Sequence, residues 1–117
     1  MDKHQKITSK KQLINWFQKS EKSKQNWRIG TEHEKFIFSD DNFKPIHYEG
    51  KQGIKILLHH IMDKTGWKPI LEKDNIIGLT THNGSSISLE PGGQFELSGA
   101  PLKNLHMTCD ETGTHLS

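Results

Sequence analysis

The 117 residues of this chain, with a mass of 13.4 kDa, suffice for one domain or part of one, because a chain of this length buries a single modest core. The hydrophobic fraction of 31% and the mean hydropathy of -0.78 are low, but three Trp, five Phe and clusters of Ile and Leu argue against disorder. A net charge of +2 is far from the dense basic stripe of nucleic-acid-binding proteins, and no apolar run is long enough to span a bilayer. Neither nucleic acid nor a membrane is therefore expected as a partner.

The cysteine content and the first residues bear on location. Cys109 is the only cysteine, so no disulfide can form within the chain and a reducing compartment is expected. The first twelve residues lack the apolar segment of a secretory signal peptide. Together these observations predict a cytoplasmic protein.

The first predicted element is a helix over residues 10–20, which Ser9 or Thr8 can cap. Its apolar residues recur at helical spacing and are expected to face a core. They are Leu13, Ile14, Trp16 and Phe17. Lys and Arg are frequent among the first 28 residues, and we interpret them as the solvated face of this helix.

A strand is predicted over residues 27–38, after a polar connection over residues 21–26. Alternation in this strand places Glu32 and Glu34 on one face, with His33 and Lys35 on the other. The two carboxylates are then about 7 Å apart along the strand.

A second amphipathic helix is predicted over about residues 51–64, and Gly66 ends it. The residues expected to point inward are Ile54, Leu57, Leu58, Ile61 and Met62. His59 and His60 have no acidic or histidine partner at a metal-ligand spacing, so we interpret them as surface residues.

Three consecutive antiparallel strands are predicted in the second half, after a possible short strand over residues 67–71. The Asn83–Gly84 dipeptide predicts a hairpin between strands over residues 76–81 and 86–90, and Pro91, Gly92 and Gly93 turn the chain into a strand over residues 94–98. Alternation gives one apolar face and one polar face. The polar face carries Ser86, Ser88, Glu90, Gln94, Glu96 and Ser98. The predicted fold class is α+β, an antiparallel β-sheet with flanking helices.

A last helix is predicted from Pro101, with Leu102, Leu105, Cys109 and Leu116 on its inner side. It reaches Ser117 without a stop signal, so more protein is expected to follow. Cys109 lacks a recognisable activating partner and is interpreted as a small buried residue rather than a nucleophile.

The glutamates of the polar sheet face are the candidate functional groups. Glu32, Glu34, Glu90 and Glu96 could supply the oxygen ligands that Mg²⁺ prefers. They could equally be the solvated side of an ordinary antiparallel sheet, and their spacing alone does not decide between these readings. No glycine-rich phosphate-binding motif of the G-x-x-x-x-G-K-[ST] type is present.

Two long motifs favour a functional role for these glutamates over a merely solvated sheet face. The segments WRIGTEHEKFIF and DNIIGL, the latter followed by SISLEPGGQFELSGAPLKNLH and Thr108–Cys109, closely resemble the plant and proteobacterial type of glutamate-cysteine ligase. The resemblance runs from Trp27 to the end of the chain. It implies a glutamine-synthetase-like catalytic domain, in which an antiparallel sheet lines a funnel for glutamate, ATP and Mg²⁺. The implied reaction is phosphorylation of the glutamate γ-carboxylate by ATP and then attack of the cysteine amine, the first step of glutathione biosynthesis.

The resemblance also assigns residues. Glu32 and Glu34 would be metal ligands, Glu90 and Glu96 metal or substrate ligands, and Gln94 a substrate-binding residue. Residues 1–26 would be a helical lead-in, and residues 27–117 the N-terminal, incomplete part of the catalytic domain.

Members of this family are several times longer than this chain, so the missing C-terminal part of the enzyme is an expected partner. Two alternatives stay open. The chain could be a non-catalytic remnant or subunit fragment, or a part of a ligase that joins glutamate to another amine.

Overall fold

The computed structural model describes residues 6–117, which form three α-helices, a short 3₁₀ turn and one five-stranded sheet. In chain order the elements are α1 (Lys10–Ser20), the 3₁₀ turn (Lys24–Asn26), β1 (Glu32–Phe36), α2 (Ile54–Thr65), β2 (Lys68–Glu72), β3 (Asn75–Thr80), β4 (Ser86–Leu89), β5 (Gln94–Ser98) and α3 (Leu105–Leu116). The predicted α+β class is confirmed. In the part of the chain that the structure describes, no helix is both long and apolar enough to cross a bilayer.

All neighbouring strands of the sheet are antiparallel, in the order β1-β5-β4-β3-β2. Strands β2 to β5 follow one another as a meander, and β1 joins it beside β5. The hairpin expected at Asn83–Gly84 is confirmed, and the Thr81 amide donates to the Ser85 carbonyl at 2.9 Å to close the loop. The predicted meander thus forms, and β1 and β2 are the edge strands of the sheet.

The core lies between α2 and one face of the sheet, which we call the core face. Leu58 of α2 and Leu79 of β3 are fully buried there, together with Ile54, Ile76, Ile87, Phe95 and Leu97. The β2–β3 register shifts between Ile70 and Leu71, which are paired with Gly78 and Ile76. Ile77 is therefore an extra, bulged residue, and this lets Ile76 and Leu79 both reach the core although they are three residues apart.

Helix α2 ends as predicted, at Gly66. This glycine has a φ of 71°, a left-handed conformation that favours glycine, and its amide donates to the Met62 carbonyl at 2.8 Å. Ile54 and Leu58 are buried, and Ile61 and Met62 pack at the edge of the core. Leu57 was expected inward but is 36% exposed, whereas His59 and His60 are exposed as expected.

The first strand is shorter than the predicted span of residues 27–38. Regular pairing is confined to Glu32–Phe36. On either side of it the chain makes single bridges, from Ile29 to Leu102 and from Phe38 to Pro45. These partners lie outside the other strands, so the ladder does not continue through them.

Helix α1 has the predicted bounds, and its N-terminus is capped by Ser9, whose Oγ accepts from the Gln12 amide at 3.2 Å. The expectation that its apolar residues face a core is wrong, because no residue of α1 is buried. The radius of gyration is 18.2 Å, whereas a compact chain of this length has one of about 13 Å. The apolar residues do lie on one side of α1, but no other part of residues 6–117 buries that side.

Helix α3 begins at Leu105 rather than Pro101, because Asn104 caps it by accepting from the Met107 amide at 3.0 Å. Its predicted inner side is also wrong. Leu105, Cys109 and Leu116 are exposed, and Leu102 precedes the helix. The side turned toward the protein is polar instead, and consists of Thr108, Glu111, Thr112 and His115.

Candidate functional site

The face of the sheet opposite the core carries the candidate glutamates, and we call it the acidic face. Its members are Glu32 and Glu34 of β1, Ser86 and Ser88 of β4, Gln94, Glu96 and Ser98 of β5, and Glu90 just after β4. Glu32 and Glu34 are exposed, and Glu90 and Glu96 are half-buried. On β4 and β5 the residues that alternate with these side chains, Ile87, Phe95 and Leu97, are buried in the core, so the core fixes the side from which Glu96 leaves. On β1 the alternating residues are His33 and Lys35, and the pairing of β1 with β5 places Glu32 and Glu34 on the same face as Glu96.

The strand register brings the glutamates of different strands together. Glu34 is paired with Glu96 across β1 and β5, and Ser88 of β4 is paired with Glu96 on its other side. Side chains directly opposite each other on antiparallel strands have Cβ atoms about 4.5–5.5 Å apart. Two carboxylates therefore stand next to each other, with a hydroxyl in the same row.

Short hydrogen bonds orient the carboxylates of this face. Gln94 Nε2 donates to Glu34 Oε2 at 2.6 Å, which joins β5 to β1 through side chains. Ser88 Oγ donates to Glu90 Oε1 at 2.8 Å, and Ser98 Oγ donates to Glu96 Oε1 at 2.7 Å. Three of the four predicted glutamates thus have one oxygen engaged by a neutral donor and a second oxygen left for another ligand.

The donor set fits a hard divalent cation, because it consists of carboxylate oxygens on one face and includes no sulfur or imidazole ligand. Residues 6–117 contain no preformed group of three or more His, Cys, Asp or Glu side chains placed to hold a metal. The four carboxylates share a face, but only Glu34 and Glu96 are direct cross-strand partners. Such an arrangement suits Mg²⁺, which is often held by one or two carboxylates and completes its shell with water and substrate oxygens.

A second polar cluster lies beneath α3, away from the acidic face. Glu111 of α3 accepts at one carboxylate oxygen from Ser85 Oγ and from the Ala100 amide, both at 2.8 Å. Its other oxygen is buried without a hydrogen-bond partner, as is Thr31 Oγ1. Both atoms lie beside Gly99, where a Cβ would overlap the Glu111 carboxylate and come within 2.9 Å of Thr31 Oγ1. Glu111 therefore fastens α3 to the β3–β4 hairpin and to the segment after β5.

The same helix contacts β1 through two histidines. His33 Nε2 lies 3.1 Å from Thr112 Oγ1, and the His33 and His115 rings are 6.4 Å apart. Burial lowers the pKa of His115 below its ordinary value of 6.5, and the positive charge of Lys35 and the neighbouring His33 lower it further, while Glu111 opposes them. His115 Nε2 is buried without a partner. The cluster thus favours a neutral imidazole under α3.

Sequence reasoning placed the glutamates on one face but missed the groups that hold them. Ser88 and Glu90, like Glu96 and Ser98, are two residues apart in the sequence, so an S-x-E or E-x-S pattern on the polar face could have indicated these bonds. The cluster beneath α3 was missed because its residues, from Thr108 to His115, are polar. Their i, i+3, i+4, i+7 spacing was the available signal.

Curated plant proteins are similar to this chain over most of its length. Glutamate--cysteine ligase A, chloroplastic, of Oryza sativa subsp. japonica is 49% identical over 108 residues, which is 92% of this chain and 21% of the rice protein. Glutamate--cysteine ligase, chloroplastic, is 51% identical over 108 residues in Nicotiana tabacum and in Medicago truncatula, and the match covers 20% of each of these proteins. The chain thus spans about a fifth of the length of the curated relatives it matches.

The names of these relatives correct the predicted location. They are chloroplastic proteins, so the expectation of a cytoplasmic protein is wrong. The physical reason is that the presence of only one cysteine distinguishes a reducing compartment from an oxidising one, but does not tell which reducing compartment contains the protein.

A family model also matches most of the chain. The family described as "Glutamate-cysteine ligase family 2(GCS2)" matches residues 28–117, which include the whole sheet and all five candidate residues of the acidic face. By this match over more than three quarters of its length, the chain belongs to glutamate-cysteine ligase family 2.

Proposed function

We propose that this chain is part of an ATP-dependent ligase that joins the γ-carboxylate of glutamate to the amine of cysteine. The observation that carries the proposal is the acidic face. This chain, a member of the ligase family, has four glutamates on that face, and Glu34 and Glu96 are direct cross-strand partners. We further propose that residues 27–117 belong to a glutamine-synthetase-like catalytic domain, for which residues 1–26 form a helical lead-in. The family match over residues 28–117 supports this boundary.

The proposed reaction has two steps. The terminal phosphoryl group of ATP is transferred to a γ-carboxylate oxygen and ADP leaves. The amine nitrogen of cysteine then attacks the γ-carbonyl carbon, displaces phosphate and loses a proton. The first step concentrates negative charge where a carboxylate and a triphosphate meet. A sheet face made of carboxylates would repel both substrates unless cations lay between them.

The proposed ligands therefore are Glu32 and Glu34, with Glu90 and Glu96 from the neighbouring part of the sheet. Magnesium, when bound, supplies charge neutralisation for the transferred phosphoryl group. The chain's own groups set the geometry: Ser88 and Ser98 turn Glu90 and Glu96 through their hydrogen bonds, and Gln94 holds Glu34. The side-chain oxygen of Gln94 can accept a hydrogen bond from a substrate amine, in keeping with a substrate-binding role.

The test uses a ligase-length protein. The matched 108 residues of the tobacco ligase are replaced by this chain, and formation of γ-glutamylcysteine is measured with glutamate, cysteine, ATP and Mg²⁺. We expect product from the chimera, and a large loss of turnover in Glu34→Gln and Glu96→Gln that deepens when Mg²⁺ is limiting. Glu72→Gln is the matched control, because Glu72 is an exposed glutamate on the opposite edge strand.

A folded chimera that forms no product would contradict the proposed activity. Full activity of both acidic-face variants at limiting Mg²⁺ would contradict the metal assignment. Competition among cysteine and other amines in the same assay identifies the amine substrate, and preference for another amine would replace cysteine in the proposal.

A further inference from the structure

The exposed apolar side of α1 is a surface that the proposed reaction does not use. We call it the α1 stripe, and it consists of Leu13, Ile14, Trp16 and Phe17. Their exposed fractions run from 40% for Leu13 to 66% for Phe17. At about 100° per residue these four side chains cover one contiguous side of the helix. A continuous patch that includes Trp and Phe is typical of an interaction surface rather than of a solvated helix face.

Positive charge borders this stripe. On the helix, Lys11 lies about 60° beyond Ile14 on one side, and Lys19 lies about 60° beyond Trp16 on the other. Residues 6–28 as a whole contain seven Lys and Arg and a single acidic residue, Glu21. The complementary surface is therefore an apolar groove with an acidic rim. A second α1 stripe does not meet this description, because its own lysines would face like charges.

The comparisons indicate where such a groove belongs. A match over 108 of the 117 residues leaves out nine, so it includes all of α1 wherever it begins. The relatives that share this stretch are about five times longer than it. The residues of α1 are thus aligned with proteins that possess a large amount of further chain, whereas residues 6–117 bury none of the α1 side chains.

We propose that the α1 stripe docks in an apolar, acid-rimmed groove on the part of a glutamate-cysteine ligase that lies outside these 108 residues. Docking removes Trp16 and Phe17 from water and places the flanking lysines against carboxylates. The inference rests on family membership and not on the ligase reaction, so loss of activity in the assay above leaves it standing.

The experiment compares the tobacco chimera with the isolated chain by hydroxyl-radical footprinting. Trypsin cuts after Lys11 and Lys19, so a single peptide, residues 12–19, carries the whole stripe. We expect oxidation of Trp16 and Phe17 to be several-fold slower in the chimera. Equal oxidation rates in the two proteins would overturn the proposal.

A pair of variants supplies an independent readout. Phe17→Asp puts a charge into the stripe, and Asn15→Asp puts the same charge on the opposite, exposed side of the helix. We expect Phe17→Asp to lower the thermal midpoint of the chimera by several degrees more than Asn15→Asp, with no such difference in the isolated chain. The same small effect of both variants in the chimera would contradict docking.

Two further measurements test the alternative binding partners of the α1 stripe, a second copy of the chain and an anionic membrane. Protection of peptide 12–19 in the isolated chain that rises with protein concentration would assign the stripe to a second copy and overturn the proposal. Co-sedimentation of the chimera with vesicles of phosphatidylserine and phosphatidylcholine, abolished by Phe17→Asp, would assign it to an anionic membrane surface and would likewise overturn it.

Discussion

Glu34 of β1 and Glu96 of β5 are direct cross-strand partners, so two carboxylates lie side by side on the acidic face. Only one of them is bridged to the neighbouring strand, through the 2.6 Å hydrogen bond from Gln94 Nε2 to Glu34. Like charges opposite each other weaken strand pairing. The β1–β5 pair therefore carries an electrostatic cost in the absence of a cation.

The first prediction follows from this pair. Glu34→Gln removes one of the two charges but keeps an oxygen that can accept from Gln94, so we expect the free energy of unfolding of the isolated chain to rise by a few tenths to about 1 kcal/mol. Urea unfolding at low ionic strength measures the change, and added salt should shrink it because salt screens exposed charges. Glu72→Gln is the control, and an equal gain there would show that the effect is one of net charge alone.

The second prediction concerns pH and helix α3. The pKa of His115 is lowered in the folded protein, so the unfolded chain binds its proton more readily. The stabilising contribution of neutral His115 is then fully present above its ordinary pKa of 6.5 and is lost as the pH falls through the lowered folded value. We expect amide protection in α3 to fall between about pH 7.5 and about pH 5, the range in which histidine titrates.

A matched pair of variants tests this assignment. His115→Gln should flatten the pH dependence of α3 protection, because the titrating group is gone. His106→Gln should leave it unchanged, since His106 is an exposed histidine of the same helix. A pH response that survives His115→Gln would contradict the assignment of the response to His115.

The third prediction concerns Gly99. Alanine there would press its Cβ against the Glu111 carboxylate and within 3.0 Å of the Thr31 carbonyl oxygen, so we expect Gly99→Ala to destabilise the chain by about 1–3 kcal/mol. Gly113→Ala is the control, because a Cβ at this helical glycine meets nothing within 4 Å. Alanine favours helix over glycine, so this variant should stabilise by about 0.5–1 kcal/mol. Thermal melts of the two variants should move in opposite directions.

The fourth prediction concerns the carboxylate that fastens α3. Glu111→Ala leaves the Ser85 hydroxyl and the Ala100 amide without their acceptor, at an expected cost of about 1–3 kcal/mol. Asp110→Ala, the adjacent exposed carboxylate, should change stability far less. Hydrogen exchange should show the loss concentrated in α3 and in the β3–β4 hairpin, and a uniform loss over the sheet would contradict the fastening role.

Much of the fold follows from local chemistry. The Asn83–Gly84 turn, the left-handed stop at Gly66 and the Ser9 cap each depend on a few adjacent residues, and all three form as predicted. The common side of Glu34 and Glu96 follows from alternation along two strands. These features need no knowledge of distant parts of the chain.

The errors about the buried sides of α1 and α3 have one origin. Periodicity shows which side of a helix could be buried, but burial requires a second surface, and a helix pattern carries no information about that surface. For α1 the described chain offers none, so Phe17 stays exposed. For α3 the neighbouring surface is polar, and hydrogen bonds to Glu111 rather than apolar contacts choose the inner side. Leu105 and Leu116 are therefore left outside.

The place of β1 in the sheet has a consequence for the order of folding. Strands β2 to β5 pair with their neighbours along the chain, so short loops suffice to assemble them. Glu34 and Gln94 are 60 residues apart in the sequence, so β1 can pair with β5 only after a long loop has closed. Closing that loop costs conformational entropy before any β1–β5 contact forms. The two carboxylates of the Glu34–Glu96 pair should thus come together late in folding, and a chain trapped before that step would have a finished meander without Glu32 and Glu34 beside it.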